Sequence, residues 1–72
     1  MSQLTSAQYD VLERAVRDGG RIAVMRRGTE YIIVPLSIRL RGGRETIEAR
    51  NPTTGDSLVI FVDDVDSIAV VR

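Results

Sequence analysis

The stretch SIRLRGGRETIEA, Ser37–Ala49, constrains this chain more than any other, because two adjacent glycines lie between runs that alternate apolar and polar residues. A two-residue turn with positive φ is the tightest link between antiparallel strands, and glycine takes that conformation without strain. Reversing the chain at Gly42-Gly43 sets Arg41 opposite Arg44, Leu40 opposite Glu45, Arg39 opposite Thr46 and Ile38 opposite Ile47. Ser37 then meets Glu48, and Leu36 meets Ala49. Leu36, Ile38, Ile47 and Ala49 share one face, whereas Ser37, Arg39, Thr46 and Glu48 share the other. A slip of one residue would scatter both sets, so the sequence itself specifies the register. A hairpin with one apolar face is therefore expected.

Two other readings of the glycine pair fail on mechanism. A ubiquitin-like modifier needs its Gly-Gly carboxylate free at a chain end, and here the chain continues to Arg72. A phosphate-binding loop needs spaced glycines ahead of a helix, followed by Lys and Ser or Thr. A strand pattern follows Gly43, and the chain has no lysine.

The flanks of the hairpin carry their own signals. Upstream, Thr5 and Gln8 have the spacing of a capping box, and Leu4 can pack against Tyr9. Tyr9, Leu12, Ala15 and Val16 recur at helical spacing, and Gly19-Gly20 offers a left-handed stop. Asp10 with Arg14 and Glu13 with Arg17 are four apart, in the favourable order for exposed ion pairs. A helix over about 5–19 follows. Arg21–Arg26 and Thr29–Val34 read as strands joined by a tight turn at Arg27-Gly28. Pro35 forces a break, a bend or an edge, because it has no N–H for a ladder. Asn51–Asp56 is rich in turn formers, Ser57–Val62 reads as a strand, Asp63–Asp66 as one helical turn and Ser67–Val71 as a last strand.

Size narrows what can stabilise such a fold. Seventy-two residues make a single domain, 1–72, close to the lower limit for a self-sufficient core. Cys and His are both absent, so neither disulfides nor the usual zinc sites can staple it. Short strands at this spacing suggest a small barrel, which removes sheet edges by closing on itself. The expected core is Tyr9, Leu12, Val16, Ile22, Val24, Ile33, Ile38, Ile47, Leu58, Ile60 and Ile68. The longest apolar run, Leu58–Val62, is far too short for a membrane-spanning helix, and Met1–Gln8 lacks the pattern of a signal peptide. A soluble, cytoplasmic protein is expected.

The same composition leaves little chemistry. Without Cys, His or Lys there is no thiol nucleophile, imidazole base or Schiff-base amine. No enzyme and no cofactor is expected. Asp63, Asp64 and Asp66 read as a solvated turn rather than a cation site. Ten arginines balance ten acidic residues, so no global field favours duplex DNA. Arg39, Arg41 and Arg44 nevertheless gather at the hairpin, where guanidinium forks can take phosphates or acidic groups. These three, with Asp10 and Glu13 on the helix, are the candidate partner-binding residues. Tyr9, Tyr31 and Phe61 read as core rather than as a stacking platform for bases.

From QYDVLERA through DDVDSI the chain resembles the Rho-binding antiterminator group, small bacterial proteins with an N-terminal helix followed by a Sm-like barrel. Tyr9, Asp10, Leu12, Glu13 and Ala15 match that family's Tyr-Asp-x-Leu-Glu-x-Ala helix. Glu45–Ala49 resembles its glutamate-bearing central strand, and Val62-Asp63-Asp64-Val65 its closing Leu-Asp-x-Ile pattern. Gly28 and Glu30 are split by Thr29 where the family has Gly-Glu. The resemblance implies a module that binds the termination factor Rho through an acidic surface, whereas this chain is neutral. Residues 31–70 also resemble the WYL sensor domain, another Sm-like barrel, in the order of Val34-Pro35-Leu36, Arg41–Ala49 and Phe61–Ile68. Thr46-Ile47-Glu48 stands where that family carries its Trp-Tyr-Leu signature, so its ligand-binding residues are not carried over.

The expectation is thus a mainly β, α+β fold, with the N-terminal helix packed on a five-stranded antiparallel Sm-like barrel over about 21–71. Its expected role is a non-enzymatic regulatory module for a protein or RNA partner of the transcription machinery. Alternatives are a structural subunit forming homo-oligomers through edge strands, particularly its last one, and a WYL-like nucleotide or oligonucleotide sensor.

Overall fold

Residues 4–71 are described by the computed structural model, and their first element is helix α1, Ser6–Asp18. Its start is fixed reciprocally: the Gln8 amide donates to Thr5 Oγ1 at 3.1 Å, and the Thr5 amide donates to Gln8 Oε1 at 2.9 Å. Gly19 ends it with φ 72°, a conformation that other residues adopt only with strain. Leu12 and Ala15 are its buried positions, with Leu4, Tyr9, Val11 and Val16 packed around them.

Five strands follow: β1 (Ile22–Arg26), β2 (Thr29–Arg41), β3 (Arg44–Arg50), β4 (Ser57–Phe61) and β5 (Val65–Val70). Gly42 and Gly43 have φ 57° and 79°, the conformation that the hairpin turn requires. Arg27 and Gly28 make an equivalent reversal between β1 and β2, with Arg27 at φ 52°. The Asn51–Asp56 turn is tied by Asn51, whose Oδ1 accepts from the Thr53 and Thr54 amides. The expected helical turn is a single 3-10 turn, Val62–Asp64, one residue earlier than the sequence suggested.

All neighbouring strands are antiparallel, in the order β4-β3-β2-β1-β5. At Pro35, where a break, bend or edge is expected, β2 is a continuous strand whose register shifts. Its first half pairs with β1 and its second half with β3. The hairpin register is as expected from Arg41↔Arg44 to Ser37↔Glu48. Beyond that a bulge intervenes, so Ala49 faces Pro35 and Val34 faces Arg50. Leu36, expected opposite Ala49 on the apolar face, is the extra residue and is 47% exposed. The buried position that the pattern assigned to it is filled by Pro35, whose missing N–H is tolerated where the ladder is interrupted.

The bend folds the sheet into two facing arms. Arg26 and Tyr31 from one arm and Leu58, Val59 and Ile60 from the other line a common hollow of about 170 Å³. The expected barrel would close by a ladder between the outer strands. In the described residues the ladder ends at β4 on one side and β5 on the other, so the sheet is open. The arms meet through side chains instead.

Between the arms and under α1 lies the core. Leu12, Ile22, Val24, Ile33, Ile47, Ile60 and Ile68 are buried as expected, each contributing about 1.5–3 kcal/mol through removal from water. Tyr9, Val16, Ile38 and Leu58, expected in the core, are half-buried at its rim. Ala15, Ala49, Val62 and Val65 complete it. Val62 and Val65 bracket the 3-10 turn, which turns both inward at a spacing of three. No described helix is long and apolar enough to cross a membrane.

Candidate interaction surface

The alternation along β2 and β3 sends Arg39, Arg41 and Glu48 to the outer side of the hairpin, where Glu48 gathers its neighbours. Arg41 Nη2 donates to Glu48 Oε2 at 2.7 Å, and Arg39 Nε lies 3.3 Å from Glu48 Oε1. The Ser37 hydroxyl donates to the same Oε1 at 3.1 Å. These contacts follow from register: Ser37 is directly opposite Glu48, and Arg39 is one diagonal step away. The Arg41 hydrogen bond, followed by that from Ser37, holds the Glu48 carboxyl below the usual carboxylate range, against the opposing effect of its desolvation.

Arg44 takes a different partner. Its guanidinium carbon sits 4.1 Å from the centre of the Phe61 ring, and its Nε lies 3.6 Å from Asp63 Oδ2. A contact of this kind adds about 0.5–1 kcal/mol at an exposed site. Thr46 is directly opposite both Arg39 and Phe61, and is fully buried although the pattern put it on the polar face. Its hydroxyl donates to the Arg39 carbonyl at 3.3 Å, which meets the need of a buried polar group. The three arginines of the candidate site are therefore adjacent, but each is engaged with an acid of its own chain. Arg39 and Arg41 share the one carboxylate of Glu48, so the three arginines keep less charge for an outside anion than their number suggests.

Asp10 and Glu13, the helix candidates, are exposed on α1 and enter no ion pair with any described residue. The expected pairs with Arg14 and Arg17 do not form; Arg17 instead meets Asp18 at 3.3 Å. The helix and hairpin are joined at Tyr9, whose hydroxyl donates to Glu45 Oε1 at 2.9 Å. Tyr9, expected in the core, is half-buried, and the signal in the sequence for such a bond is a tyrosine at the edge of an apolar stripe.

The acidic cluster does not converge. Asp64 meets Arg27 at 3.5 Å, Asp63 meets Arg44, and Asp66 is exposed. Among the described residues no three acidic side chains gather closely enough to hold a metal ion. Thr46 and Ile47 are buried and Glu48 is occupied by its arginines, so that segment presents no ligand-facing trio.

The hairpin is not only polar. Leu36 and Leu40 are 47% and 70% exposed, and Val59, directly opposite Glu48 on β4, is 46% exposed. Val59 shares the face of Glu48, whereas Leu40 alternates with Arg39 and Arg41 and lies on the other side of β2. Arginine around apolar side chains is a composition found in protein interfaces. No protein-family model matches the chain, and no curated protein matches it in sequence.

Proposed function

We propose that this protein is a non-enzymatic interaction module that binds another protein through its central hairpin, on a fold of the Sm-like barrel type. The observation that carries this reading is the internal pairing of Arg39 and Arg41 with Glu48 and of Arg44 with Asp63, on a hairpin that also exposes Leu36 and Leu40. An RNA-binding surface would leave its guanidinium groups free for phosphates and add aromatic faces for bases. Here Phe61, the aromatic beside Arg44, has a face already taken by that arginine. A component of the bacterial transcription machinery is the partner class that the resemblance to Rho-binding antiterminators suggests, and a cytoplasmic location goes with that reading.

Capture from lysate of the native host tests the reading. Wild-type protein should retain a specific protein, and Leu36→Asp with Leu40→Asp should lose it while keeping wild-type circular dichroism. A pool of single-stranded RNA should bind more weakly than about 10⁻⁴ M at physiological salt, the weak end of non-specific binding. Tighter RNA binding that falls steeply with salt would reverse the assignment.

A second reading rests on the open edges. Among the described residues, β4 and β5 are the outer strands of the sheet, and Val59 and Val70 are exposed on them. Such edges pair with other chains unless they are blocked, which makes this protein a self-assembling subunit. Light scattering separates the two: a monomer whose mass does not change with concentration removes the subunit reading.

A further inference from the structure

Away from the hairpin, a groove of about 250 Å³ runs between the second half of α1 and the end of β5. Val11, Ala15, Ile22 and Val70 line it together with Arg14 and Arg21, both of which are exposed. Val70 is 55% exposed although its directly opposite neighbour on β1, Ile22, is buried. The volume is below the range of about 300–1,000 Å³ typical of small-molecule sites. It exceeds the roughly 150 Å³ that accepts a benzene-sized group. One large side chain fits that space; a cofactor does not.

Charge says what surrounds that side chain. Arg14 and Arg21 enter no ion pair with any described residue, in contrast to the hairpin arginines. The one acid lining the groove, Asp18, is already engaged by Arg17 at 3.3 Å. Two available guanidinium forks beside an aliphatic floor match carboxylates flanking an apolar anchor. Nucleic acid fits less well, because the lining contains no aromatic ring on which a base can stack.

We propose that this groove docks an acidic segment of a partner protein, with one large apolar residue inserted between α1 and β5 and carboxylates on Arg14 and Arg21. The proposal deepens the protein-binding reading and rests on it, but uses a surface separate from the hairpin. Selection of ten-residue peptides from a random display library on the folded wild-type protein tests it. The enriched peptides should carry Asp or Glu on either side of a single Leu, Ile, Met or Phe. Arg14→Glu with Arg21→Glu should weaken a selected peptide by about tenfold or more, from two lost rim pairs turned repulsive. Val70→Asp, at an exposed position, should abolish its binding with circular dichroism unchanged. Leu36→Asp with Leu40→Asp should leave it unaffected. Failure to enrich, a basic or neutral consensus, or binding indifferent to the groove variants overturns the groove. Peptides lost only in the hairpin variant would do so while keeping the protein-binding reading intact, and the lysate capture judges that reading independently.

Discussion

The two arginine groups of this protein are chemically identical and physically opposite. Arg39, Arg41 and Arg44 sit on the hairpin, and each is in contact with Glu48 or with Asp63 and the Phe61 ring. Arg14 and Arg21 sit at the α1–β5 groove and find no acid among the described residues. The sequence pointed to the first group because three arginines lie close together along the chain. Folding decides otherwise: register sets Glu48 diagonally from Arg39, within reach of Arg41, and the turn after β4 brings Asp63 to Arg44. A charge cluster therefore becomes a binding site only after its cross-strand neighbours have been counted.

The largest expected effect tests whether both groups depend on one core. Ile47 is fully buried on β3, and Ile47→Ala should cost about 2–5 kcal/mol. A chain of this size has of order 5–10 kcal/mol in total. Urea denaturation should show that loss, and hairpin and groove should unfold in one transition. Separate transitions would mean that the two regions are independent.

Next in size is the hairpin turn. Gly43 has φ 79°, where a β-branched side chain is strained, so Gly43→Val should cost at least about 1–2 kcal/mol. Its cross-strand amide contacts should weaken first, measured by hydrogen exchange in β2 and β3. The groove amides of α1 should change only with global stability.

Acid titration sharpens the contrast without altering the backbone. The folded-state pKa of Glu48 lies below its usual value, so its stabilising contribution is complete above the usual carboxylate range and disappears as pH falls through the folded pKa. Glu48→Gln should lower the melting temperature near neutral pH, and the gap from wild type should shrink in acid. A gap that stays constant in acid would show that Glu48 is not held by its arginines.

The smallest effect concerns the link between helix and hairpin. Tyr9→Phe removes the bond to Glu45, which is exposed, and should cost about 0.5–1 kcal/mol. Thermal unfolding of the pair checks it, and a loss above about 2 kcal/mol would give the bond a larger role than its exposure allows.

Much of this architecture is legible in the amino acids. Thr5 and Gln8 announce the helix start, Gly42-Gly43 announces the turn, and aliphatic alternation fixes the hairpin register as far as Ser37. What escapes is set by contacts beyond local pattern. Pro35 signals an interruption, but whether a strand ends, bends or bulges there depends on β1 and β3 pairing with its two halves. Thr46 looks solvent-facing by alternation, yet it is fully buried, with Arg39 and Phe61 directly opposite on its two neighbouring strands. Val62 and Val65 enter the core because a 3-10 turn changes the period from two to three. The pairing of Glu48 was within reach of the hairpin register; that of Arg44 with Asp63 required knowing where β4 ends.

The pairing difference is measured most directly by ¹⁵N relaxation at the arginine Nε positions, which reports side-chain motion on the picosecond-to-nanosecond scale. Arg39, Arg41 and Arg44 should show clearly higher order parameters than Arg14 and Arg21, whose values should fall below about 0.6. Glu48→Gln should release Arg39 and Arg41 while leaving Arg44 restrained by Phe61 and Asp63. Equal mobility at all five arginines of the wild-type protein would contradict the distinction between engaged and available charge.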